Sequence, residues 1–263
     1  MHRLLTRLAV ENLFHPFQPF IFGQKSLAPK FAIKYKIPLV MYGQAEASMA
    51  DYKRCTQREE YYTIADKSKI SLGGVSIKYL VKEYGLDEYE LLPYIPSVLE
   101  EIEKNKIKVH LLGYYVDWYP QKHYYYAVKH GKFQASPERT PGTYSKYNSI
   151  DDKIDDFHYQ TTYTKFGIGR ATYEASYEIR EGVITRAEGV NLVKRYDAEF
   201  PERFAEEFYK YLSVEKDKMP KAYRRFKHPK MDHDYYMSLT DKFRSPHLWE
   251  KVGGKWKLRY QVS

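Results

Sequence analysis

The chain has 263 residues, enough to bury a sizeable core in one large or two small domains. Its 43 Lys and Arg against 34 Asp and Glu give a formal net charge of +9, which favours anionic partners, and its single cysteine excludes a disulfide framework and a cysteine-built zinc site. No stretch approaches the roughly 20 apolar residues of a membrane span, and "MHRLLTRLAVENLFHPF" lacks the small-residue cleavage pattern of a secretory leader, so the chain reads as cytoplasmic.

The aromatic content is unusual: 28 Tyr and 13 Phe beside a modest share of Leu, Ile and Val predict rings that are half buried with their polar tips on water, backbone or ligand. "LLTRLAVENLF" places apolar residues at Leu4, Leu5, Leu8, Ala9 and Leu13, the spacing of an amphipathic helix. Pro16 and Pro19 are expected to break it, after which "QKSLAPKFAIKYK" resumes a helical pattern and leads into the apolar run "IPLVMYG". A second helix and apolar strand follow in "IPSVLEEIEKNK" and "KIKVHLLGYYV". Such strands alternating with helices predict an α/β fold with a parallel sheet covered on both faces, but two strands make only a partial doubly wound sheet.

After about residue 120 the pattern becomes mainly helical. "PQKHYYYAVKHGKF" reads as a helix, "ASPERTPGTYSKYNS" as a turn-rich loop, and four helical segments extend to about Arg225. Ser149 with Asp152 resembles an acidic capping box, and Thr185 with Glu188 is a full one. Alternation of Trp256, Leu258, Tyr260 and Val262 after Gly253 and Gly254 predicts a terminal strand. The domains expected are residues 1–119, α/β, and residues 120–263, helical with a short strand.

Ligands of open parallel sheets bind outside the carboxyl ends of the strands, which directs attention to Gly43, Gln44 and Glu46 after the first strand and to Gly113, Tyr114, Tyr115, Asp117 and Trp118 within or after the second. Gly43 allows close backbone approach, Gln44 can donate and accept, and Glu46 could hold a metal ion; an ordinary strand-to-helix turn explains them equally well. In "FGIGRATYEASYEIREG", Gly167 and Gly169 lead to Arg170 at a helix start, where bare amides and a guanidinium would suit a phosphate or carboxylate. The competing explanation is that the glycines let two helices cross while Arg170, Glu174 and Glu178 pair along an exposed face. "TDKFRSPHLW" sets Lys242 and Arg244 beside an aromatic and a proline, as an anion clamp would. His228, Asp232 and His233 fit none of the strong metal spacings. Cys55, beside Arg54, has no evident histidine partner.

Taken in order, "HPFQPFIFGQ", "IPLVMYGQAE", "LGYYVDW", "GTYSKYNSIDDKI", "DFHY", "KFGIGRATYEASYEIREGVITRAEGVNLVKRYDAEFP" and "DKFRSPHLW" resemble the N-acetyl sugar amidotransferases of surface-polysaccharide and flagellin-glycan biosynthesis. The resemblance implies an ATP pyrophosphatase of the adenine nucleotide alpha-hydrolase type. Such an enzyme activates the acetamido carbonyl of a nucleotide-linked sugar as an adenylate, and ammonia then displaces AMP to leave an acetamidino group. It implies ATP and Mg²⁺, and a separate glutaminase with an ammonia-channelling partner, similar to the subunits of imidazole glycerol phosphate synthase. On this reading Gly43, Gln44, Glu46, Lys242 and Arg244 face the nucleotide, with Glu46 toward Mg²⁺. Gly167, Gly169, Arg170, Glu178 and Arg180 face the sugar nucleotide.

One departure is large. The family's Ser-Gly-Gly-Lys-Asp-Ser pyrophosphate loop is absent, and "SLGGVS" at residues 71–76 lacks the Lys-Asp and lies after the strand that should follow the loop. The expectation is therefore the C-terminal portion of such an enzyme, from a truncated gene, a split gene or a misassigned start; in the split case an N-terminal fragment carries the loop. Pro141 also stands where the resemblance calls for an acidic residue. A non-catalytic sugar-nucleotide or partner-binding relative, and an RNA-binding relative of the tRNA-modifying pyrophosphatases, are the alternatives; the scattered basic residues argue against nucleic acid.

Overall fold

A computed structural model describes residues 1–43, 71–97, 99–214 and 226–262. They form a mixed α/β, helix-rich molecule. Helix α1 (His2–Leu13) is followed by α2 (Gln18–Tyr35), strand β1 (Leu39–Tyr42), the hairpin β2 (Ser71–Leu72) and β3 (Val75–Ser76), α3 (Ile77–Tyr84), α4 (Glu88–Leu91), α5 (Leu99–Lys104) and β4 (Lys108–Leu111). The second half contains α6 (Pro120–Gly131), α7 (Asp155–Phe166), α8 (Arg170–Arg180), α9 (Arg186–Tyr196), α10 (Ala205–Leu212), α11 (His233–Phe243) and the hairpin β5 (Trp249–Val252) and β6 (Lys255–Leu258).

β1 and β4 pair in parallel, with Val40 opposite Val109. These two valines pack with Ala32 of α2 and with Ile102 and Ile107 around α5, so one face of the pair is covered. Leu39 and Met41, one residue out of phase, are exposed, as the two-residue period of a strand dictates. The expected covering of both faces is therefore not seen among the described residues.

α1 serves two cores. Leu4, Leu5 and Leu8 pack with Leu72, Leu80 and Leu91, whereas Val10 and the following Phe14 pack with Phe157, Phe208, Leu212 and Tyr236. Arg7 is fully buried in α1. It ion-pairs with Glu11 at 2.6 Å and donates to the Leu212 carbonyl at 2.9 Å, which fastens α1 to the end of α10.

Four local expectations changed on folding. Pro19 does not interrupt a helix: it occupies the second position of α2, where a missing N–H costs no intrahelical bond. The Gly73–Gly74 pair is the turn of the β2–β3 hairpin, with φ of 61° and 79°. A Cβ on Gly73 would lie 2.5 Å from the Leu8 Cβ, so this glycine is demanded by backbone handedness and by the close pass over α1. Ser149 donates to Asp155 instead of capping, and α7 begins later, at Asp155, while the Thr185–Glu188 box forms in full. The terminal alternation belongs to a hairpin whose first strand, β5, precedes the glycines, and the Trp249 indole anchors that hairpin to the Thr164 carbonyl of α7 at 2.7 Å.

Candidate functional site

α7 and α8 run into one another through the Phe166–Gly169 turn and border a cavity of about 400 Å³. His158, Tyr159 and Thr162 of α7 line it, with Arg170, Tyr173, Glu174 and Tyr177 of α8 opposite. The α8 residues recur at i, i+3, i+4 and i+7, the spacing of a single helix face. Asn148 closes one side, and Gly43, Trp118 and Pro120 complete the lining. Gly43 directly follows β1, and Trp118 lies a few residues beyond β4, so the cavity opens where both parallel strands end.

Glu174 organises this wall. Its carboxylate receives Arg170 Nε at 2.7 Å, Asn148 Nδ2 at 2.9 Å and Ser145 Oγ at 3.4 Å, and also the Thr143 hydroxyl. Arg170 faces Asp155 at 3.8 Å and lies over the Tyr159 ring with its Cζ 4.2 Å from the centroid. Burial pushes the Asp155 carboxyl up to about 6, against the opposing pull of Arg170. One turn further along α8, Glu178 accepts from Gln121 Nε2 at 2.8 Å and from the Tyr144 hydroxyl at 2.9 Å. Two buried carboxylates thus fasten the 143–148 loop and the start of α6 to a single helix face.

The α8 N-terminus is already occupied. Asp197 receives Gly169 N at 2.8 Å, Thr172 N at 3.0 Å and the Thr172 hydroxyl at 2.6 Å, while Ala171 N donates to the Gly142 carbonyl at 3.0 Å. A Cβ on Gly169 would stand 2.7 Å from the Asp197 carboxylate, which explains that glycine by close approach. Gly167 ends α7 in the left-handed conformation, beside Leu258.

On the α7 wall of the cavity, His158 stacks on His15 with centroids 5.0 Å apart, and the Nδ1 atom of each is buried without a hydrogen-bond partner among the described residues. Burial, with Lys165 nearby, pushes His15 down to about 4; burial, with His15, Lys165 and Arg170, pushes His158 down to about 3. Both values lie below the ordinary 6.5, so the neutral pair contributes stability that is complete above pH 6.5 and is lost as the pH falls through the folded-state values. His158→Phe keeps the stack and removes one of these protonations. Its unfolding free energy, measured in urea across this range, is expected to fall less steeply with acidification than that of the wild type.

Of the residues singled out from the sequence, the fold brings Gly43, Trp118 and Arg170 to the same cavity. Glu178 lies beneath it, and Arg180 is exposed at the far end of α8 over the Tyr177 ring. Lys242 and Arg244 do not line the cavity: Lys242 is exposed, and Arg244 sits between the Trp249 and Trp256 rings, paired with Asp241. His228 stacks on Tyr235, Asp232 caps α11 and His233 faces Asp234. Gln44, Glu46 and Cys55 lie outside the described residues. No group of three or more His, Cys, Asp or Glu that could hold a metal ion occurs among the described residues. The sequence reading missed Asn148, His158, Tyr159, Thr162, Tyr173 and Tyr177 as lining residues. The α8 stripe at 170, 173, 174 and 177 was the available signal.

The described residues form a mixed α/β protein with an aromatic, internally charge-paired cavity between two consecutive helices. Residues 141–262 match the family described as LPS biosynthesis protein WbpG-like, C-terminal domain. No curated protein matches the chain.

Proposed function

We propose that this chain supplies the sugar-nucleotide-binding portion of an ATP-dependent N-acetyl sugar amidotransferase of lipopolysaccharide or flagellin-glycan biosynthesis. The observation that carries the reading is that, among the described residues, the stretch similar to the WbpG-like C-terminal domain contributes every cavity-lining residue except Gly43, Trp118 and Pro120. The position of the cavity at the carboxyl ends of β1 and β4 supports it, because α/β sheets bind their ligands there. β1 and β4 are then two strands of a larger doubly wound sheet.

An amide carbonyl is a poor electrophile, and adenylation makes its oxygen a good leaving group for displacement by ammonia. The contribution of the present residues is binding and orientation: the Glu174 and Glu178 networks hold the pocket wall in one geometry before the ligand arrives. The ATP chemistry is assigned to a separate segment carrying the Ser-Gly-Gly-Lys-Asp-Ser loop, because the Gly73–Gly74 turn lacks the Lys-Asp and is pressed against α1. Ammonia comes from a partner glutaminase through a channelling subunit. No described helix is long and apolar enough to cross a membrane.

Calorimetric titration of the chain with a UDP-linked N-acetyl sugar is expected to show saturable binding, and ATP–pyrophosphate exchange is expected only after the loop-bearing segment is added. Robust exchange by the chain alone would overturn the assignment of the ATP chemistry. Steep salt-dependent tRNA binding without sugar-nucleotide binding would replace the reading with an RNA-directed one.

A further inference from the structure

We infer that the cavity between α7 and α8 receives the uncharged sugar ring of its ligand, and that the ligand's phosphates lie outside it. The inference rests on the proposed sugar-nucleotide reading and sharpens it, since the sequence had suggested that Arg170 would oppose a phosphate.

Charge argues first. Among the described residues Arg170 is the only Lys or Arg lining the cavity, and its guanidinium is already matched by Glu174 at 2.7 Å and faces Asp155 at 3.8 Å. Formal charges of the Arg and Glu on the wall cancel. A diphosphate entering here would meet the carboxylate side of an existing ion pair in a partly desolvated setting, where like-charge repulsion is weakly screened. The helix start offers little substitute, because Asp197 and the Gly142 carbonyl already hold the amides of Gly169, Ala171 and Thr172.

The lining supplies what a sugar ring needs. Trp118, Tyr159, Tyr173 and Tyr177 provide flat aromatic faces for the apolar C–H faces of a pyranose, together with polar edges for its hydroxyls. Neither the Tyr159 nor the Tyr173 hydroxyl hydrogen-bonds to a described residue. Asn148 spends its amide nitrogen on Glu174 and on Ser145, at 2.9 and 3.1 Å, which leaves its carbonyl oxygen as an acceptor for a hydroxyl or an acetamido N–H. A volume of about 400 Å³ sits at the small end of ligand pockets, suited to one substituted ring more than to a whole nucleoside diphosphate sugar.

The test uses the intact chain with methyl N-acetyl-β-glucosaminide, UDP, uridine and UDP-N-acetylglucosamine as probes, followed by saturation-transfer NMR and by tryptophan fluorescence. The neutral glycoside is expected to bind with an affinity that hardly changes with salt. Trp118→Ala and Tyr173→Ala, each at a side chain 38 % exposed and so compatible with folding, are expected to weaken the glycoside and the UDP-sugar by roughly tenfold each, about 1.4 kcal/mol. Thermal unfolding of both variants checks that the fold is retained. If UDP-N-acetylglucosamine binds but is fully competed by UDP or uridine, and neither variant weakens it, the ring assignment is overturned while the sugar-nucleotide reading stands. If none of the sugar probes binds, the reading itself falls and this inference with it.

Discussion

Phe157→Ala is expected to lower the unfolding free energy by about 3–5 kcal/mol, the range for removing a buried aromatic ring from a core that cannot close around the void. Phe157 is fully buried, stacks on Phe208 with centroids 3.9 Å apart, and meets Tyr236 edge-on at 5.5 Å. It sits on the α7 segment that also presents His158 and Tyr159 to the cavity, so loosening this core also loosens one wall of the site. Urea unfolding followed by circular dichroism reads the effect as a lower midpoint with an unchanged denaturant slope. A loss under about 1 kcal/mol would mean that α7 is not anchored through this ring.

Glu174→Ala is expected to cost a similar amount, about 3–5 kcal/mol, for an electrostatic reason. The substitution strands the Arg170 guanidinium, whose side chain is 13 % exposed, with only the more distant Asp155 as a counter-charge. It also removes the acceptor shared by Thr143, Ser145 and Asn148. Both stability and ligand binding should therefore fall, because the 143–148 loop carries Asn148 into the cavity wall. Glu174→Gln, which retains the shape and one acceptor oxygen, should lose less on both measures. Equal losses in the two variants, in urea unfolding and in UDP-sugar titration, would show that the carboxylate charge carries the whole effect and that the retained shape and acceptor oxygen contribute nothing.

Much of the local structure was legible because its causes are local. The Thr185–Glu188 box needs only residues three apart, and it forms as expected. The apolar spacing of α1 and the apolar runs of β1 and β4 likewise follow from helical and strand periodicity. Ser149 and Asp152 have comparable local chemistry, but Asp155 offers the Ser149 hydroxyl another acceptor and the helix starts later. Strand β5 escaped notice because Trp249–Val252 has no alternation of its own and is defined by its pairing with β6.

The candidate site divides in the same way. The i,i+4 spacing of Arg170 and Glu174 foretold their contact, yet the pair is a largely buried strut beside the cavity and not an exposed stabiliser of the helix surface. Nothing near Gly169 in the chain announces that Asp197, 28 residues away, will take its amide and close the anion site that the glycine pattern suggested. Nor does local spacing reveal that Arg244 will be held between Trp249 and Trp256, away from Arg170.

By itself the sequence determined the basic charge, the helix-rich second half, the two apolar strands and the resemblance to sugar-modifying enzymes, because composition and short-range periodicity are properties of the chain alone. Only the tertiary structure decided which charges are free to meet a ligand. Whether a local ion pair is also enclosed depends on groups from elsewhere in the chain, as where Asp155 faces Arg170 at 3.8 Å and Asn148 donates to Glu174 at 2.9 Å, and a guanidinium so matched has little attraction left for a phosphate.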